Sequence, residues 1–278
     1  MNLTLLIYSG LAVGVVAVLN KRLAGGRHAA IAYSAAFALL NTVFTLPFLL
    51  FEFRMPVDPV WWALTITSVI AFAVTLTLGF AAYKTTDVSV VNIIYRLSIV
   101  MTALAGLIFL GEQYTPVRYL GLFLVFAGSV AVLFKEKKIR ITRGILFAFV
   151  MALSTTIATI LDKQILKAFS PYTYAFVNNL VLYLILIMKP GTLGDSLAVI
   201  RSRPRNIIVS SIINATAFLA ILIVLSGTSV SQTMPVFRSL SYVSPILLGI
   251  LVLGERSDLL QKSVGVALGL MGIILLYL

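Results

Sequence analysis

The chain has 278 residues, 60% hydrophobic and 11% charged, with a mean hydropathy of +1.08, against roughly 45–50% apolar and 25% charged in soluble domains. That excludes a water-soluble globule, and at about 20 residues per membrane helix, ten helices leave no room for a sizeable soluble domain. The net charge of +12 rests on Lys and Arg set between hydrophobic runs, where they fix topology and meet anionic lipid rather than nucleic acid; with no Cys and only His28, a disulfide, a thiolate nucleophile and a His or Cys metal site are excluded, and no cofactor is expected.

In chain order the apolar runs of membrane length are 3–20, 30–51, 60–82, 87–110, 117–134, 144–166, 172–188, 206–226, 229–253 and 259–278. Backbone polar groups must be satisfied inside lipid, and these runs lack the two-residue alternation of a membrane barrel. All ten therefore read as transmembrane helices of an all-α membrane protein. The first run carries Lys21 and Arg22 behind it, no basic residue ahead of it and no small-residue cleavage pattern, so it reads as a retained helix rather than a signal peptide. Thr115-Pro116 and Ser170-Pro171 place a cap residue and an N1 proline at the start of the fifth and seventh runs. Gly111 and Gly254 end the fourth and ninth.

The chain repeats itself. Leu97-Ser98-Ile99-Val100 through Leu110-Gly111-Glu112 lies over Leu240-Ser241-Tyr242-Val243 through Leu253-Gly254-Glu255, and Gly121 and Gly128 fall over Gly265 and Gly272. Leu19-Asn20-Lys21 matches Leu161-Asp162-Lys163, and Tyr95-Arg96 matches Phe237-Arg238. Residues 1–138 and 139–278 then read as two five-helix repeats, and because five is odd the second is inverted relative to the first, an arrangement associated with alternating access.

At these residues the sequence resembles the drug/metabolite transporter superfamily, in particular the EamA-type ten-helix transporters. Those proteins carry twice a segment like Arg96-Leu97-Ser98 through Gly111-Glu112, then a Thr-Pro start such as Thr115-Pro116 and a Gly-rich helix like Gly121 to Gly128. The second copy here runs from Ser239 to Pro245, on to Gly254-Glu255, then from Gly265 to Gly272. The resemblance implies a central cavity walled by runs three, four, eight and nine, with one and six rocking as gates and five and ten packing the halves. It also implies ligand contacts on runs four and nine. Unlike the small multidrug members of that superfamily, this chain has no carboxylate in its first run. Uniport or obligate exchange follows as the expectation, with a pH gradient alone driving no uptake.

Arg96 and Arg238 each fall about 9 residues into a run of about 24 or 25 residues, near mid-helix at 1.5 Å per residue. A charge there costs about 2.5–3.5 kcal/mol, so each must face water, a partner or a ligand. One reading makes them guanidinium forks lining a cavity, each able to hold a carboxylate or phosphate bidentately. The other ties helices together through carbonyls or an interhelical Tyr or Asn. By proximity to the arginines, Asn92, Tyr95, Gln232 and Tyr242 are the expected further substrate-binding residues, whereas Asn41, Asn178, Asn179, Asn214 and Ser241 read as packing. Pro235 and Pro245 each remove a backbone donor within the ninth run and are the expected hinges; Asn92 and Thr102 stand at the matching places of the fourth. Glu112 and Glu255 sit where water solvates them, and Lys21 and Lys163, beside Asn20 and Asp162, read as snorkelling interfacial anchors. Trp61, Trp62 and Tyr277 form the interfacial aromatic belt.

The favoured function is therefore a secondary transporter of a small anionic or zwitterionic metabolite, working by alternating access in the cell membrane. An exporter of amino acids or lipophilic drugs with structural arginines is the first alternative. A membrane-embedded lipid-modifying enzyme or a non-transporting scaffold is the second, but an enzyme needs paired carboxylates, a metal cluster or an activated nucleophile near one interface, and none is visible. Most of the 21 Lys and Arg fall in alternate loops, Lys135, Lys137, Lys138, Arg140 and Arg143 among them, which puts both termini outside. The resemblance implies cytoplasmic termini instead.

Overall fold

Where no water is available to satisfy the peptide groups, the chain closes its hydrogen bonds within helices. A computed structural model describes residues 3–26, 28–101, 115–131, 134–135, 138–139, 141–227, 230–254 and 259–277, the side chains of 129, 134, 135, 138, 139, 227, 230–236, 238, 239, 242, 276 and 277 excepted. Its helices are α1 (Leu3–Ala24), α2 (Ala30–Thr45), α3 (Pro59–Thr85), α4 (Val88–Tyr95), α5 (Pro116–Ala131), α6 (Arg143–Ile165), α7 (Pro171–Ile187), α8 (Thr192–Ser202), α9 (Pro204–Gly227), α10 (Val230–Leu253) and α11 (Leu259–Tyr277). A two-residue antiparallel hairpin, with Phe134 opposite Ile139, links α5 to α6. The molecule is an almost entirely helical membrane protein.

Among the described residues, Leu3–Ala24, Ala30–Leu50, Pro59–Thr85, Arg143–Ile165 and Pro204–Ser226 are long and apolar enough to cross a membrane; α7 and α8 make a sixth only as one broken span. The starts follow local chemistry. Asp58 accepts from the Val60 amide (2.9 Å) ahead of Pro59, and Ser170 accepts from the Thr173 amide (3.2 Å) ahead of Pro171. Gly254 ends α10 at φ +69°, a left-handed conformation that glycine adopts without strain. Gly111 and Glu112 lie outside the described residues, as does Glu255.

Three departures from the sequence reading carry information. The second run stops being α-helical at Thr45 and tightens into a 3-10 turn over Leu46–Leu50, with Pro47 inside it. The seventh ends at Ile187, and Gly191 (φ +82°) turns the chain into α8, where the sequence reading expects no helix. Bent 115° from α7, α8 carries Asp195 in its first turn and Arg201 in its last, each complementing the helix dipole. The fourth run is interrupted at Arg96 by a single turn and resumes through Met101; residues 102–114 lie outside the described residues.

Packing follows the repeat. The helix α5 lies antiparallel to α11, and a Cβ on Gly128 would stand 2.7 Å from the Gly265 carbonyl oxygen, one on Gly272 2.6 Å from that of Gly121. Exchanging Gly121 with Gly265 and Gly128 with Gly272 turns the first contact into the second. The contact is therefore two-fold related. Likewise α3 lies along α6 while α1 lies along α9, the same pairing read from the other half. A core of Tyr33, Phe37 and Phe80 joins α2 to α3, the Tyr33 and Phe80 rings stacked at 5.7 Å.

Candidate functional site

The helix α10 runs unbroken through Pro245, which has no N–H to give the carbonyl four residues earlier. That carbonyl belongs to Ser241. Arg96, at the break after α4, supplies the missing donor: its Nη2 donates to the Ser241 carbonyl oxygen and its Nη1 to Ser241 Oγ at 3.2 Å. The arginine is 5% exposed, and its guanidinium carbon lies 5.8 Å from the Tyr95 ring centroid, within cation–π range. A charge near mid-helix thus meets an acceptor that another helix, from the other half, has left open.

Around this crossing runs a polar seam. Asn92 is buried, and its Nδ2 donates to the Val88 carbonyl (2.8 Å) and to the Tyr83 hydroxyl on α3 (3.4 Å). The half-buried Tyr95 donates its hydroxyl to Thr155 Oγ1 on α6 at 3.0 Å. Thr155 also meets Thr75 of α3 at 3.2 Å, and Thr156 Oγ1 donates to the Ser98 carbonyl at 3.3 Å. Three of the expected substrate-binding residues, Asn92, Tyr95 and Arg96, therefore share one region where α3, α4, α6 and α10 meet. Arg238, Gln232, Tyr242 and Pro235 have their backbones in α10, and their side chains lie outside the described residues. The sequence reading missed Tyr83, Thr75, Thr155 and Thr156 and assigned Ser241 to packing. A hydroxyl on an apolar helix reads alike whether it bonds its own turn or a neighbour, so no sequence signal separates them.

Pro245 is buried where α1 comes closest: a Cβ on Gly14 would fall 2.7 Å from the Pro245 nitrogen and 2.5 Å from the Ser244 carbonyl carbon. Ser244 Oγ donates to the Gly10 carbonyl at 3.2 Å. At the end opposite the termini, Lys262 of α11 is 1% exposed and its Nζ lies 2.8 Å from Asp87 Oδ2, ahead of α4. Lys21, read as a snorkelling anchor from the sequence, donates to the Thr86 carbonyl at 2.7 Å and so ties α1 to the α3–α4 turn. Lys163 is exposed.

The EamA-like transporter family matches residues 1–134 and again residues 142–278. Among 28 solved chains that match, a crystal structure described only as that of a protein aligns over 97% of this chain and 98% of its own, with a TM-score of 0.66 at 16% identity. That likeness is one of fold. No curated protein matches this chain. The two family matches cover nearly the whole sequence, fall on the two halves that the glycine contacts relate, and together show that the chain belongs to the EamA-like transporter family.

Proposed function

We propose that the protein is a secondary transporter, not an enzyme, which moves a small anionic or zwitterionic solute across the cell membrane by alternating access. In this reading ten spans form two inverted five-helix repeats, 1–138 and 139–278, and the solute sits where α4 crosses α10. Arg96, Arg238, Asn92, Tyr95, Gln232 and Tyr242 contact it, and α10 flexes at Pro235 and Pro245. The observation that carries the reading is Arg96, a buried cation at a helix break, whose bonds to the neutral Ser241 a solute carboxylate could replace with stronger, charge-assisted ones.

A second reading, an exporter of amino acids or lipophilic drugs with structural arginines, is favoured by the same bond, since Arg96 completes the backbone that Pro245 leaves open. The two differ in a measurable way. Amino acids, phosphorylated sugars, nucleotides and lipophilic cations are screened for a rise in the apparent melting temperature of the purified protein. On the solute reading, Arg96→Gln and Arg238→Gln abolish the rise given by an anionic or zwitterionic compound. If both variants respond as the wild type does, the arginines are structural. A double-mutant cycle gives the independent answer: Pro245→Ala restores an amide for the Ser241 carbonyl, so a purely structural Arg96 becomes nearly silent to substitution in that background.

A further inference from the structure

The helix α8 has no part in the site above. Its 11 residues reach about 16 Å at 1.5 Å per residue, roughly half of what a bilayer core needs, and the 115° bend from α7 turns it off the direction of the spans. Just behind it, Arg203 Nη1 donates to the Arg22 carbonyl near the end of α1, which fixes α8 at the face of the molecule opposite the termini.

Its sides differ in chemistry. Thr192, Ser196 and Val199 are buried in one stripe, and Val199 joins the core that holds Tyr33 and Phe37 of α2. At 3.6 residues per turn, Leu193 and Leu197, 49% and 41% exposed, fall on one flank of that stripe, Asp195 and Ser202 on the other, and Arg201 opposite it. From 189 to 205 the chain carries Lys189, Arg201, Arg203 and Arg205 against one acid, Asp195. Among the described residues none of these four cations forms an ion pair. Arg203, Pro204, Arg205 and Asn206 line a cavity of about 260 Å³ where α9 begins, and the bond to Arg22 uses one of the five donors on Arg203.

The repeat supplies an internal comparison. The equivalent connection in the other half, between α2 and α3, lies at the end that carries the termini. It too turns apolar side chains outward, Leu50, Phe53 and Val57 among them. Its charges, however, are two acids, Glu52 and Asp58, and one base, Arg54, which pairs with Glu52 at 3.8 Å. Exposed apolar surface is thus common to both connections, and of the two only the α8 connection adds unpaired positive charge.

We propose that α8 lies flat in the membrane interface as a docking platform for an anionic phospholipid, with Leu193 and Leu197 at the acyl boundary and the headgroup phosphate held by Arg203 and Arg205 at the cavity before α9. Apolar burial and attraction to anionic lipid add on such a helix, and guanidinium forks match phosphate oxygens bidentately. A free phosphate uses the arginines but leaves the leucines uncovered. The two together call for a molecule with a charged head and an apolar tail. Once bound, the lipid tethers the start of α9 and, through Arg203, the end of α1 to one leaflet.

The chain has no cysteine, so Leu197→Cys and, on the opposite flank, Asp195→Cys each take a bimane fluorophore at a single site. The labelled chains are reconstituted in phosphatidylcholine vesicles, and phosphatidylglycerol or phosphatidylcholine with brominated acyl chains is titrated in, because bromine quenches only a fluorophore it touches. Strong quenching is expected at 197 and little at 195, with phosphatidylglycerol half-saturating at a mole fraction more than about tenfold lower than phosphatidylcholine. Arg203→Gln and Arg205→Gln should each narrow that difference about fivefold. Salt of about 0.5 M should narrow it without any arginine replaced. Equal quenching at 197 and 195, equal binding of the two lipids, a salt-independent preference, or one that survives loss of both arginines overturns the proposal. Displacement of phosphatidylglycerol by millimolar inorganic phosphate assigns the cavity to a soluble anion and overturns it as well.

Discussion

Asn20 and Asp162 close equivalent corners of the two halves, each accepting from an equivalent serine, Ser210 at 2.8 Å and Ser68 at 2.5 Å, yet one corner is neutral and the other carries an ionisable oxygen pair. The lysine pairing is equally lopsided. Lys262 meets Asp87 at 2.8 Å, whereas the repeat places Arg118 and Ser229 at the matching positions. The glycine-to-carbonyl contacts between α5 and α11 are nearly the same in both directions, 2.7 Å from Gly128 and 2.6 Å from Gly272. Apolar packing has thus kept the two-fold relation while ionisable groups have departed from it, which is how one duplicated scaffold acquires two chemically distinct ends.

The comparison breaks most visibly if the glycine contacts are not equivalent. Gly128→Leu and Gly272→Leu each force a side chain against backbone, at a cost of about 3 kcal/mol or more, and should lower the apparent melting temperature equally. A large drop from only one of them contradicts the two-fold contact. Next in size, Asp87→Asn takes the carboxylate from the buried Lys262 ammonium and should cost about 3 kcal/mol, read from chemical denaturation; an unshifted midpoint would show that the ion pair adds nothing to the end it closes.

The smallest effect is the sharpest. Ser68→Ala removes a donor to a carboxylate, worth about 1.5 kcal/mol, and Ser210→Ala removes a donor to an amide, worth about 0.6 kcal/mol. Chemical denaturation near neutral pH should separate the two variants. On acidification the Ser68→Ala penalty should shrink toward that of Ser210→Ala, because a hydroxyl donates more strongly to a carboxylate than to a carboxylic acid. A penalty that stays constant with pH would leave the two corners chemically alike.

The transmembrane character and the repeat are legible in the residues themselves, because burial in lipid is a demand on each residue type and a duplicated sequence keeps its spacing. The cap residues at Ser170-Pro171 and the glycine stop at Gly254 are legible for a local reason, since they act within one turn of the backbone. That Asn92, Tyr95 and Arg96 lie together follows from their nearness along one run. The break at Arg96 is not legible, since no proline or glycine marks it, and the partner that Arg96 finds there, Ser241, lies in a segment distant along the chain.

What the sequence by itself determined, then, is that the chain is a multi-pass helical membrane protein, that it repeats itself, and which polar residues stand among its apolar runs. Partner choice belonged to the tertiary structure: Arg96 with Ser241, Asp162 with Ser68 and Tyr174, Lys262 with Asp87. The physical reason is that lipid is as apolar as a leucine side chain, so a helix apolar on all sides carries no stripe to say which face turns inward. Rotation and register are set only when small residues let backbones meet, as at Gly128 and Gly14, and the polar groups find their partners once that contact is made.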